Sequence, residues 1–177
     1  MNYKVLVVLL LVLVVSLGWQ EDVYAQETQS SAMAGRLGIG SNVTMNGGMG
    51  FSARYWATDL IAAEGVFNFT SMDMGDSDTT IFTLAGRGIY SLFDYGPSRG
   101  CVGAGISFGT TEVEFGNSKT DENFFGLEFF FLVENMVNEY FSVSGQTGLS
   151  YINGDDSSVL SVGTPSVIGL FGFHFYL

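Results

Sequence analysis

Apolar residues alternate with small or polar ones over most of this chain. In one stretch Met49, Phe51, Ala53 and Tyr55 share a face, and Gly50, Ser52, Arg54 and Trp56 share the other. Further on, Phe82, Leu84, Gly86, Gly88 and Tyr90 oppose Thr83, Ala85, Arg87 and Ser91. Nearer the end, Phe141, Val143, Gly145, Thr147, Leu149 and Tyr151 oppose Ser142, Ser144, Gln146, Gly148 and Ser150. A period of two is the signature of a β-strand. The pattern predicts eight strands, over 33–42, 48–57, 60–71, 79–92, 101–115, 123–134, 139–152 and 166–177. Most are long enough for a tilted membrane strand of about 9–11 residues.

The charged positions give the alternation its meaning. Arg36, Arg54, Arg87, Glu64 and Glu128 all fall on the face opposite the large apolar residues. A closed sheet in a bilayer turns one face to lipid and tolerates charge only inside. An arginine at the lipid-facing midplane costs about 2–4 kcal/mol. The expected fold is therefore all-β, an eight-stranded antiparallel up-and-down transmembrane β-barrel. The lumen of such a barrel is narrow and largely filled by side chains. Charges buried there need partners, so the pattern predicts a lumenal ion network of Arg36, Arg54 and Arg87 with Glu64 and Glu128. Apolar residues also fall on the inner face, at Phe124, Phe130, Leu132, Ile168 and Leu170, and they suggest a partly apolar lumen. The fifth strand changes character over 110–115, which implies a bulge or a rise beyond the bilayer.

The connections alternate too. Those at 57–59, 94–100 and 135–138 are short, whereas 73–78, 116–122 and 153–165 are longer or richer in acid and glycine. With both termini in the periplasm, the longer set would lie outside together with the connection of the first pair, over 42–47.

At the amino end, Lys4 precedes an unbroken apolar run from Val5 to Val15, and Val23-Tyr24-Ala25 supplies a small-residue exit before Gln26. The run is short of the roughly 20 residues of a spanning helix. Residues 1–25 read as a signal peptide and 26–177 as one barrel domain. Composition agrees: glycine is 24 of 177 residues, phenylalanine 16 and proline only 2, which suits pleated sheet better than helix. The formal charge of −12 argues against nucleic acid, which needs a basic surface. Cys101 is the only cysteine, so no intrachain disulfide forms.

The chain closes inside a strand, with Phe171, Phe173, Phe175 and Leu177 alternating with Gly172, His174 and Tyr176. This ending resembles the assembly signal of bacterial outer-membrane barrels, which usually finish in Phe where this chain has Leu177. Together with the stretch Arg54-Tyr55-Trp56-Ala57-Thr58-Asp59-Leu60-Ile61-Ala62-Ala63-Glu64 and the glycine-rich penultimate strand from Glu139 to Tyr151, it makes the chain look like the small outer-membrane β-barrel family of OmpA-type, OmpX-type and OmpW-type domains. The resemblance implies a bacterial outer-membrane location. It implies contact with outer-membrane lipid and lipopolysaccharide, and recognition by the barrel assembly machinery. It does not imply a cell-wall tether.

Catalytic signals are weak. His174 is the only histidine, and it lacks the His-x-Ser spacing of lipid A deacylases, because Tyr176 stands where Ser would be. Asp73, Asp76, Asp78, Asp155 and Asp156 match no helix–loop–helix calcium loop and read as solvated outer loops. Gly103 to Gly109 lacks nucleotide-loop spacing. Neither cofactor nor metal is expected. The expected function is a non-enzymatic integral envelope protein, structural or surface-interacting, with its lumen plugged by ion pairs. Two alternatives are a narrow channel or lateral path for small apolar molecules, and a secreted soluble lipid-binding barrel.

Overall fold

The computed structural model describes residues 32–45, 49–73, 75, 77–115, 118–155, 158–163 and 170–177. The segment read as a signal peptide and the candidate Ile168 lie outside the described residues. Nine strand segments follow in order: β1 (Leu37–Val43), β2 (Met49–Trp56), β3 (Ile61–Asp73), β4 (Ser77–Tyr95), β5 (Ser98–Phe115), β6 (Ser118–Asn138), β7 (Phe141–Gly154), β8 (Ser158–Gly163) and β9 (Leu170–Tyr176).

Every pairing is antiparallel, and the ring closes. Strands β1 to β7 pair in sequence order, β7 pairs β9, and β9 returns to β1 through Gly38 opposite Tyr176 and Ser41 opposite Phe173. β8 continues the β9 edge. It pairs β7 over Gly148 to Asn153, whereas β9 pairs it over Phe141 to Gln146. The ring thus has eight positions, the last shared by two segments. The strand expected over 166–177 is β9, and it shares its ring position with β8, which lies in the stretch expected as a connection. Six residues of sequence, 164–169, separate the ends of β8 and β9, where β7 steps only from Gly148 to Gln146.

Other expectations about the connections need correction. The acidic stretches after Asp73 and after Phe115 are not long loops. They belong to hairpins in which β4, β5 and β6 run for 19, 18 and 21 residues, about twice what a membrane strand needs. Part of the stretch 153–165 is likewise strand, as β8. No bulge accompanies the change at 110–115, because β4 and β5 stay in register from Ser77–Phe115 to Ser91–Cys101. The side chains there are exposed or half-buried on both faces, as expected near a barrel rim. The register shifts fall at the opposite end, between Ser91 and Phe93 and between Met136 and Asn138. Each inserts one apolar residue, Leu92 or Val137, that stays exposed beside a turn.

The faces are inverted relative to a water-soluble protein. Ile39, Phe51, Leu84, Phe129 and Phe175 are more than half exposed on the outside, while Arg54, Glu64, Arg87 and Glu128 are buried within. A soluble lipid-binding barrel requires the reverse, so the structure overturns that alternative. Tyr55, Tyr90, Tyr95 and Tyr140 stand exposed near the end that holds the short turns, a partial aromatic girdle. Glycine is required where walls press together: a Cβ on Gly148 would lie 2.0 Å from the Phe129 carbonyl oxygen.

The chain enters the barrel through a tight turn. Gly35 adopts φ of 82°, a left-handed conformation that glycine takes without strain. The Met33 and Ala34 amides donate to Asp59 Oδ1 at 2.7 and 2.9 Å. This arrangement docks Met33 in the mouth of the barrel, where it is buried.

If the outer face meets lipid, Leu84→Arg will lower the unfolding free energy in phospholipid vesicles by about 2–4 kcal/mol, read from denaturant titration. An unchanged midpoint would mean that Leu84 does not face the bilayer core.

Candidate functional site

The residues that parity places inside the ring meet in three tiers. In the upper tier, Arg87 on β4 donates through Nε to Glu128 Oε1 at 2.6 Å and through Nη2 to Glu128 Oε2 at 3.1 Å. The chain beyond β1 turns inward onto this pair. The Val43 carbonyl accepts from Arg87 Nη2 at 3.0 Å and also from the Gln146 amide. The Met45 amide donates to Glu128 Oε2 at 2.8 Å, and Ser150 donates to the Met45 carbonyl at 3.3 Å. Thr44 and Met45 are buried as a result. The first outer connection thus begins as a plug.

The middle tier centres on Glu64 of β3. It pairs with Arg54 at 3.3 Å and Arg87 at 3.4 Å, and accepts from Asn42 Nδ2 at 2.9 Å. His174 Nε2 lies 3.2 Å from Glu64 Oε1 and 2.8 Å from Ser52 Oγ. In the lower tier, Arg54 reaches Glu134 at 3.0 Å, and the same carboxylate accepts from Ser142 and Tyr176 at 2.7 Å each. Beneath it, Arg99 stacks over Trp56 at 4.5 Å and pairs with Asp94. The void that Met33, Arg99, Glu134 and Met136 help to line is only about 10 Å³, room for one water at most.

Four of the five residues expected in the network, Arg54, Arg87, Glu64 and Glu128, converge in this way. Arg36 does not join them. It sits one residue before β1, at the rim, where its guanidinium donates to the Glu139 carbonyl and lies 5.3 Å from the Tyr176 ring centre. Of the apolar inner positions, Phe130 and Leu132 are buried, and Phe130 packs 4.8 Å beneath the Arg87 guanidinium. Phe124 is half-buried higher up, and Leu170 pairs with Gln146 at the end of β9. Phe171, Phe173, Phe175 and Leu177 are all exposed on the outer face.

Sequence reasoning missed Glu134, which shares parity with Glu128 but was placed at a strand end because β6 was expected to stop there. It also missed Asn42 and the Arg99–Asp94 pair, and it read His174 as a plain lumenal or interfacial histidine without placing it in the network. Asn42, which begins a glycosylation-like triplet, is a buried ligand of Glu64 instead. The meeting of Ser52, His174 and Glu64 does not form a catalytic relay. Both contacts fall on Nε2, and Nδ1 has no partner among the described residues. A relay uses the two ring nitrogens separately.

Outside the wall, charge is handled differently. The Ala34 and Met33 amides hold the Asp59 carboxyl below the usual carboxylate range. Lys119, in the projecting β5–β6 hairpin, pairs with Glu112 at 2.6 Å, which raises its pKa.

No protein-family model matches this chain, and no curated protein matches it in sequence. Among solved structures, it is similar to Ail, the attachment invasion locus protein of Yersinia pestis, with a TM-score of 0.52 and 16% identity over 82% of this chain and 100% of that one. It is also similar to the N-terminal β-barrel domain of Pseudomonas aeruginosa OprF, with a TM-score of 0.52 and 15% identity over 80% of this chain and 96% of that domain. The chain has the fold of the small eight-stranded β-barrels of bacterial outer membranes.

Two outcomes follow from this geometry. Arg87→Ala strands Glu128 and should cost about 3–5 kcal/mol, whereas Arg87→Met combined with Glu128→Leu removes both charges and should cost much less. Heat-dependent gel mobility of the folded barrel would rank the three proteins. The second outcome concerns acid. Because the folded Asp59 pKa is depressed, its tether is fully present above the unfolded carboxylate range, about pH 4. It is lost as pH falls through the lowered folded value. The Met33 and Ala34 amide resonances should therefore move together, with a midpoint below the ordinary Asp range.

Proposed function

We propose that this protein is an integral outer-membrane barrel that does not conduct, with a structural or surface-interaction role carried by the hairpins beyond its rim. The observation that supports this most is the filled lumen. Three tiers of paired charge, the inward-turned Val43 to Met45 and the docked Met33 occupy the axis from the mouth that holds Met33 up to the level of Met45. A lone buried ion is far costlier than a paired one, so such a network favours one closed arrangement. The exposed apolar wall accounts for residence in lipid.

The same observations support a non-catalytic role. The single histidine is sealed in the middle tier, and the acidic groups of the projecting strands, such as Glu114 and Asp121, stand in solvent. Phe171, Phe173, Phe175 and Leu177 form an exposed apolar edge on the last strand, which suits recognition by assembly machinery and then contact with lipid.

The test is reconstitution. Purified protein in planar bilayers should give no reproducible unit conductance, resist extraction from membranes by alkaline carbonate, and shift in gel mobility on boiling. A stable conductance, or uptake of a small apolar solute lost on enlarging the side chain at Gly103 or Gly109, would overturn the closed-lumen reading in favour of a channel or lateral path.

A further inference from the structure

Above the upper tier, at the end opposite Met33 and Leu177, the ring opens into a cavity of about 490 Å³. This falls within the roughly 300–1,000 Å³ of small-ligand sites. Hydroxyl and amide groups on separate strands, Asn68 on β3, Thr83 on β4, Thr111 on β5 and Asn123 on β6, line it between the aliphatic side chains of Ile81 and Ile152. Asn68 and Thr83 are at least nine-tenths buried. Among the described residues, the hydroxyls of Thr83 and Thr111 have no hydrogen-bond partner. Among the described residues, Asn68 has one side-chain bond, which it accepts from Thr70 at 3.0 Å.

The aromatic component is Phe124. Its ring lies over Gly109, where a Cβ would meet Phe124 Cζ at 2.3 Å. Glycine thus makes room for the ring against the wall, and the ring lines the cavity. Among the described lining residues, Glu122 is the one that carries charge, and none is cationic.

These features select a ligand class. An anion would meet Glu122 and no basic group. A purely apolar molecule would leave Asn68, Thr83 and Thr111 stranded without water. We propose that this vestibule binds a short neutral saccharide. The ligand's hydroxyls would exchange hydrogen bonds with the threonine and asparagine groups, and its C–H face would rest on Phe124. The site is separate from the ion network, and its occupancy does not depend on whether the barrel conducts.

Saturation-transfer NMR on the detergent-folded barrel would test it, with maltotriose, chitotriose and a dephosphorylated, carboxyl-reduced core oligosaccharide from lipopolysaccharide as neutral probes. A sulfated trisaccharide is the charged control. At least one of the first three should receive saturation, and the sulfated probe should not. Phe124→Ala and Thr83→Val should each weaken that binding about tenfold or more while the boiling-dependent gel shift persists. If either variant fails to fold, Asn123→Leu at the rim takes its place. Binding of the core oligosaccharide alone would assign the site to sugars of the cell's own envelope. Binding of maltotriose or chitotriose would assign it to sugars from outside, and both results support the proposal. No saturation of any neutral probe, equal binding in folded variants, or preference for the sulfated sugar would overturn it.

Discussion

Glu64 is the residue on which the interior depends. Its carboxylate sits on β3 and meets Asn42 from β1, Arg54 from β2, Arg87 from β4 and His174 from β9. A charge sealed from water is tolerable only where its lone pairs are met, and here the partners come from both sides of the ring closure. The β1–β9 seam is therefore tied through the lumen as well as along its own ladder. Arg54 and Arg87 each carry the linkage onward, to Glu134 below and Glu128 above. One axial chain of charge thus runs through the sealed part of the barrel, from Glu134 to Glu128.

The plug is built from the same logic. Glu128 and Arg87 retain donors and acceptors that the opposing wall cannot reach, and the backbone of Val43 and Met45 supplies the complement. The first outer connection turns inward because polar groups are waiting for it. Above this level the lumen is wider and Glu122 is the one charged group among its described lining residues, so it remains an open vestibule. The long β4, β5 and β6 strands continue past it as a sheet whose charged groups are solvated. The molecule is thus divided by depth into a sealed, charged segment, a largely uncharged cup and a projecting surface.

Much of this was legible in the chain because a strand's period is two. Once Arg54, Glu64, Arg87 and Glu128 share a parity, a ring must bring them together whatever its details. The failures came from positions where parity loses force. Arg36 has the right parity but lies at the rim, where the pleat no longer dictates direction. Glu134 was hidden because the end of β6 was set too early, although its spacing of six from Glu128 put it on the same face. The lengths of β4, β5 and β6 were underestimated because acidic, glycine-flanked segments such as Lys119 to Asn123 resemble loops, yet above a membrane both faces of a strand may be polar. The division of the last ring position into β8 and β9 had no signal stronger than Pro165. The vestibule was visible only as Phe124, whose role depends on Gly109 across the ladder.

The central claim is that adjacent residues on one strand face opposite media, and β6 tests it within four positions. Nuclear Overhauser contacts between acyl-chain methylenes and side chains, measured in lipid nanodiscs, would decide it. Phe129 and Phe131 should contact lipid, while Phe130 and Leu132 should show none and remain protected from water. Lipid contacts at Phe130 and Leu132, with water contacts at Phe129 and Phe131, would reverse the faces and contradict the account.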